Sequence, residues 1–473
     1  METITYNELM FELPITYECI TECSLTEKIN ENVKVRIVGV LTEEEQMSAL
    51  EQVSLESQVH IYTEDEEVFY GVVTSFEVTY LNGVGEFVLC AADESIHLDI
   101  VKKSRSFQDI NQTYADIIKM IIGEYFGDFA NVSQYTVYPQ APTIQYKETD
   151  WEFIKRMASY MGTYLQPEAK RKGIQIYLGE HEGYAHSPAI YEYVEKHENQ
   201  AYVTKEDKEY ITKTKNSKSI WIRGSENYNM GDKIVMNQEL YLIMEKTASM
   251  EKEQLLFTYC LKKREDIQIS INHNNAIKGI SIEGVVLAVN EDQLKLHLCI
   301  DETQDEESAY SYPFAVPYTA EGSTGWYMMP QIGEGAFLYI PSEDESEGYI
   351  STVTHREGES NPFMNDEWVH RIGSEDNKSL VIGRDEISFQ SEDNEFFITM
   401  MEEEGISVVC DEEIQLVAGK KCNMQGNTIN MYAKERITLT TKKTSINVDS
   451  VVDISGDNQK KSAADELVHK IGG

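Results

Sequence analysis

The 473-residue sequence predicts a mainly β protein with some α, ending in a C-terminal trimeric, intertwined β-prism. Three observations lead there. Strand-like runs bounded by turn residues fill most of the chain, and helical period appears in only two places. Beyond residue 397, an apolar-polar-apolar triplet returns about every eight residues.

Between residues 17 and 100 the strand signals are Val33 to Val38, Val68 to Val73, Ser75 to Leu81 and Gly85 to Cys90, with Asn82-Gly83 marking a hairpin. After Phe107 the period changes. Ile110, Tyr114, Ile117, Ile118 and Ile121 fall on one helical face, with Asp116 and Lys119 opposite. A second helix starts at the capping box Thr149-Asp150-Trp151-Glu152, buries Trp151, Ile154, Met157, Ala158 and Met161, and stops at Gly162. Strands resume from Ile174 to about Asn272, including Ile220 to Arg223, Ile234 to Met236 and Tyr241 to Met244. Five short strands between 277 and 356 suit a small closed barrel of the OB kind. The predicted division is 1–105 (β-rich), 106–173 (helical), 174–275 (β-rich), 276–356 (OB-fold), 357–380 (linker), 381–456 (prism) and 457–473 (tail).

The triplets have as outer members Ile398 and Met400, Ile406 and Val408, Ile414 and Leu416, Cys422 and Met424, Ile429 and Met431, Ile437 and Leu439, Ile446 and Val448, and Val452 and Ile454. Each middle residue is Thr, Ser, Gln, Asn or Asp, so a three-residue strand would turn one apolar and one polar face. A single chain of such rungs cannot enclose its apolar face and leaves open strand edges. Three chains winding together solve both problems, which predicts an obligate homotrimer with the outer members as its core. A single-chain β-helix would need coils of roughly 20 or more residues.

Composition excludes several functions. Lys plus Arg is 41 against 82 Asp plus Glu, a formal charge of −41, so no nucleic-acid binding is expected. Seven Cys, an odd number without CxxC, read as reduced thiols, Cys19 and Cys23 among them as core groups. The N-terminus lacks a basic segment followed by an apolar run, so synthesis in the cytoplasm without a signal peptide is expected. No P-loop or GxSxG occurs. His181 and His186 stand at i, i+5, which puts them on different helix faces, and Gly83-Val84-Gly85 lacks the third glycine of a dinucleotide fingerprint. No catalytic residue, cofactor or metal site is predicted. Residues 380 to 419 carry one Arg against eleven acids, whereas 420 to 473 carry nine Lys/Arg against six, making the distal segment the only basic part.

Several stretches resemble the VgrG family of hub and spike proteins from contractile phage tails and injection systems. They are Ser104-Arg105-Ser106-Phe107-Gln108-Asp109, the run Ile144 to Met157 with Gly162 and Tyr164-Leu165, and Trp326, Pro330, Ile332-Gly333-Glu334 and Phe337 to Ile340. The likeness covers nearly the whole chain. Two departures stand out: Glu343-Asp344-Glu345 replaces the family's Gly-Asp-Pro, and neither a lysozyme domain beside the barrel nor a C-terminal effector is expected.

The resemblance implies that the two β-rich units are tube-like barrels, six of which in a trimer would adapt to a hexameric tail tube or tube-initiator protein. It implies baseplate partners, a place in a phage tail or tail-like particle, and non-enzymatic puncture of a target envelope with transient contact there. It also implies a small PAAR-like tip protein, seated by the tail residues Leu467, Val468 and Ile471. The rival reading is a trimeric tailspike or fibre that binds or cleaves surface glycans. It lacks exposed aromatics, since Tyr432 is the only aromatic after residue 398.

Overall fold

Ten strands form the path of one continuous sheet in the computed structural model. It describes residues 4–448 except 46–48, 189–191, 207–208, 252–253, 317–327, 355–365, 367, 375, 377, 392–395 and 442–444. The chain divides into two units, Met1–Glu359 and Ser360–Gly473.

In the first unit the sheet runs Met10–Glu12, Gln58–Tyr62, Glu67–Leu81, Val84–Ala92, Lys34–Leu41, Tyr17–Lys28, Glu239–Glu251, Gln254–Lys262, Glu209–Gly224, Glu192–Glu206. Asn82 (φ 52°) and Gly83 (φ 82°) make the hairpin turn expected of that dipeptide. The β-rich stretches on either side of the helices are joined directly, because Tyr17–Lys28 pairs antiparallel with Glu239–Glu251, from Lys28 opposite Glu245 to Ser24 opposite Ser249. Across this seam Lys246 Nζ donates to Glu27 Oε1 at 2.6 Å, both side chains buried. Ile37, Phe69, Phe87, Leu89, Phe257 and Leu261 lie in one core shared by both halves.

Cys19 corrects an expectation. Cys23 is buried, and burial pushes its thiol up to about 12, but Cys19 is exposed. Residues four apart on a regular strand share a face, and a bulge between Ile20 and Glu22 inverts the alternation.

The first helix spans Tyr114–Glu124 behind a capping box of Thr113 and Asp116, so Ile110 lies ahead of it and stays exposed rather than joining its apolar face. The second spans Asp150–Tyr160 behind the expected box of Thr149 and Glu152, and Gly162 takes φ 67° just past its end. The two helices bury Ile117, Ile118, Ile121, Trp151, Ile154 and Met157 against each other and against the small sheet of Asp128–Asn131, Leu165–Pro167 and Gln175–Leu178. Next come the five barrel strands in the order Ser311–Pro313, Gln293–Leu298, Ile280–Asn290, Gly335–Ile340, Tyr349–Thr354. A parallel bridge between Phe314 and Ile350 brings the two edges together. Trp326 lies outside the described residues.

The second unit contains an antiparallel meander of His370–Gly373, Lys378–Ile382, Glu386–Ser391, Phe396–Met401 and Gly405–Cys410, followed by the separate hairpin of Ile437–Thr440 and Ser445–Val448.

Candidate functional site

Directly opposed residues in an antiparallel pair share a face. In the meander, Ile372, Leu380, Phe389, Ile398 and Val408 stand opposite one another in one row, and His370, Ile382, Ile387, Met400 and Ile406 form the next row on the same face. The middle residues Thr399 and Ser407 oppose each other on the other face, with Ser388. The distal hairpin repeats the rule, with Ile437 opposite Val448, Leu439 opposite Ile446 and Thr438 opposite Asn447. Thus four of the eight triplets are strand segments, and in those of Ile398, Ile406 and Ile437 the outer members share a face.

In the single chain that face is open, and the core expected of the triplets is one that three chains would form together. Ile398 and Met400 are about two-fifths exposed, Val408 and Leu439 are about half exposed and Ile406 is 73% exposed. The three middle triplets form no strand. Leu416, Met424 and Met431, expected as core residues, are exposed, and so are their triplet partners Ile414, Cys422 and Ile429. The physical reason is that a three-residue strand needs a neighbour to take its backbone hydrogen bonds, and none of the described residues supplies one here. Within one chain Leu416, Met424 and Met431 are therefore surface residues, and a core at these positions requires other chains. Val452, Ile454, Leu467, Val468 and Ile471 lie outside the described residues.

The stretches that carry the family resemblance hold the helices to the barrel. Arg156 is 1% exposed on the second helix, and all five of its N–H groups are used. Nε and Nη2 fork onto Glu148 at 3.0 and 2.8 Å, and Nη2 also reaches the Ile144 carbonyl at 2.8 Å. Nη1 donates to the Tyr160 hydroxyl at 3.1 Å and to Glu345 Oε1 at 2.5 Å. Glu345 belongs to the barrel, in the turn Glu345–Glu347. Desolvation alone would lower the guanidinium pKa, but the charges of Glu345, Tyr160 and Glu148 outweigh it and hold the group well above its ordinary value.

A second tie runs from Ser106, whose backbone N–H and hydroxyl both donate to Asp301 at 2.5 Å. Gln108 adds a bond to the Leu296 carbonyl at 3.1 Å. Arg105 and Lys103 meet the buried Asp150 at 2.8 and 2.7 Å. Burial would raise the Asp150 carboxyl, yet bonds from Lys103, Gln145 and Tyr125 and the charge of Arg105 hold it below the ordinary range. Sequence reasoning singled out these motifs without their role. The available signal was Arg156, a cation between the apolar residues Phe153, Ile154 and Met157.

The histidines behave as separate groups. His186 Nε2 lies 3.3 Å from Asp232, while His181 packs against the Tyr177 ring at 4.4 Å between centroids. No cluster of three or more metal-ligating side chains exists among the described residues.

With this geometry in place, comparison with known proteins is informative. Residues 26–225 match the family model of the phage tail baseplate hub (GPD). The Escherichia coli c3393 protein, a component of the type VI secretion system described as structurally similar to the T4 bacteriophage tail proteins gp27 and gp5, superposes with a TM-score of 0.54 at 13% identity, over 73% of this chain and 99% of that one. The half-lidded Francisella PdpA-VgrG complex gives a TM-score of 0.54 at 11% identity, covering 82% of this chain and 83% of that one. A lidless PdpA-VgrG complex gives 0.55 at 11%, covering 82% and 93%. No curated protein sequence matches the chain. Residues 26–225 are thus similar to a phage tail baseplate hub domain, and the chain shares its mainly β fold with these solved structures.

Proposed function

We propose that three copies of this chain form the central hub-spike of a contractile injection system or phage-tail-like particle, closing the tail tube and puncturing the target envelope mechanically. The observation that carries the reading is the exposed apolar face built from opposed triplet members. Two further copies are the occupant it suits best, because the same eight-residue spacing continues through three triplets that have no strand partner among the described residues. Each Ile or Phe fully covered contributes about 1.5–3 kcal/mol, and the contribution is repeated in every chain.

The hub end suits a fixed support. The helices are tied to the barrel by the Arg156 and Ser106 contacts rather than through a flexible linker. The tail tube or its initiator, other baseplate proteins and a PAAR-like tip seated near Leu467, Val468 and Ile471 are the partners of this reading. Its work requires no catalysis, so the purified protein should clear neither peptidoglycan nor other glycans in zymography. Clearing would favour the tailspike reading.

Light scattering on the full-length protein is the deciding measurement. The expected mass is three times 54.1 kDa, and a stable, well-folded monomer at micromolar concentration would overturn the proposal.

A further inference from the structure

A cavity of about 830 Å³ lies in the first unit, between the helical segment and the second β-rich stretch, within the common range for ligand sites of about 300–1,000 Å³. Among its lining residues Tyr164 and Leu242 are buried and Ile267 and Ile269 pack against them as an apolar part of an otherwise polar wall. Gly179 (φ 102°) closes one wall. A Cβ there would lie 2.9 Å from the Ser133 backbone nitrogen, so only glycine lets that loop approach.

The rim carries an ion triad. Glu180 meets Lys233 Nζ at 3.3 Å through one oxygen and Arg264 Nη2 at 3.1 Å through the other. Two cations share the Glu180 carboxylate, which leaves the triad one net positive charge beside Glu182, the other carboxylate of the lining. The Arg264 side chain is 70% exposed, and among the described residues its ion-pair partner is Glu180, through Nη2 alone. Its planar fork can therefore accept a second carboxylate. Tyr164 lines the same cavity as the triad, and burial pushes its hydroxyl up to about 12, with Glu180 adding to the effect and Arg264 opposing it.

We propose that this cavity binds a carboxylate carried on an apolar body, with the carboxylate on Arg264 and Lys233 and the apolar body against Tyr164, Leu242, Ile267 and Ile269. The free C-terminal residue of a peptide and a small aryl or alkyl carboxylate share this chemistry. Glu180 competes with the ligand for both cations, so its role can be read from the sign of its substitution.

The test is calorimetric titration of the full-length protein with three probes: N-acetyl-Leu-Phe as the free acid, the same dipeptide as its C-terminal amide, and phenylpropionate. The free acid should bind saturably and the amide at least tenfold more weakly. Arg264→Gln, at an exposed position, should cost at least tenfold. Glu180→Gln should tighten binding severalfold by removing the competing carboxylate. Phenylpropionate matching the dipeptide identifies a small carboxylate as sufficient, whereas tenfold tighter dipeptide binding identifies a peptide terminus. Lack of saturation at millimolar concentration, equal binding of acid and amide, or an Arg264→Gln variant that binds like wild type would each overturn the proposal. If Glu180→Gln melts below wild type, the amide and Arg264→Gln comparisons decide alone. None of these readouts depends on trimer formation.

Discussion

Replacing Arg156 by Met keeps the volume of the aliphatic stem but removes the cation from between Glu148 and Glu345, whose side chains are 10% and 8% exposed. Removing one partner of a buried ion pair costs about 3–5 kcal/mol, because the remaining charge is left without solvent or counter-ion. Here one cation serves two carboxylates and also satisfies the Ile144 carbonyl, so the loss should reach the top of that range, about 5 kcal/mol. Glu345→Gln keeps the fork onto Glu148 and loses one charged hydrogen bond, so it should cost about 1.5–3 kcal/mol. Adding Glu148→Gln and Glu345→Gln to Arg156→Met removes the uncompensated charges and should recover part of the loss. Urea unfolding followed by the fluorescence of Trp151, buried on the same helix, gives all three numbers. The reasoning is refuted if Arg156→Met unfolds within about 1 kcal/mol of wild type, or if the triple variant is no more stable than the single one.

Ile414→Lys or Ile437→Lys should abolish trimer formation in light scattering, because three ammonium groups would be buried about one axis, while Gln415→Lys and Thr438→Lys should leave the mass unchanged. Gly71→Ala should leave little soluble protein or lower the melting temperature sharply, since its Cβ would collide with the Ala92 carbonyl oxygen. Asp93 is buried and accepts backbone hydrogen bonds from Val33 and Ser95, and burial raises its carboxyl from an ordinary 3.8 to about 6. A folded-state value above the unfolded one means that stability falls as pH rises from about 4 to about 6, by about 3 kcal/mol for this group. Asp93→Asn should remove that share of the pH dependence, and identical pH profiles for the two proteins would contradict it.

Features encoded within a few residues were legible in the sequence. The capping box of Thr149 with Glu152 lies in plain view, whereas Thr113 with Asp116 has Asp in place of the usual Glu or Gln and the apolar spacing runs past it to Ile110. Asn82-Gly83 announces its own turn, and the triplet pattern carries its own parity, which the hairpin registers repeat. Contacts made at long range were not legible. Nothing near Arg156 indicates that Glu345, 189 positions away, completes its shell. The seam between Tyr17–Lys28 and Glu239–Glu251 is equally hidden, because alternation identifies a strand and is silent about its neighbour. Leu416, Met424 and Met431 show the same limit, since their spacing marks an apolar face and a single chain leaves that face uncovered. Cys19 escaped because a bulge shifts the face of everything beyond it, and bulges have no short-range signature as strong as Asn-Gly. The cavity draws its lining from separate segments of the chain, so the Glu180 triad exists only once the fold is complete.

The seam sets an order of events during synthesis. Glu27 and Lys246 are 219 positions apart, and at about 5–20 residues per second the ribosome needs about 10–45 s to supply the second after the first. Throughout that interval the N-terminal strands can pair among themselves, but Tyr17–Lys28 keeps one edge open. An unpaired edge is a template for the wrong neighbour, and nascent chains on one messenger are crowded together. The strand carries Glu18, Glu22, Glu27 and Lys28, and Glu239–Glu251 carries Glu239, Glu245, Lys246 and Glu251, so register decides which charges meet. In the native register Glu27 stands opposite Lys246 and Lys28 opposite Glu245, so this edge closes on two adjacent pairs of opposite charge, and a one-residue slip would lose both.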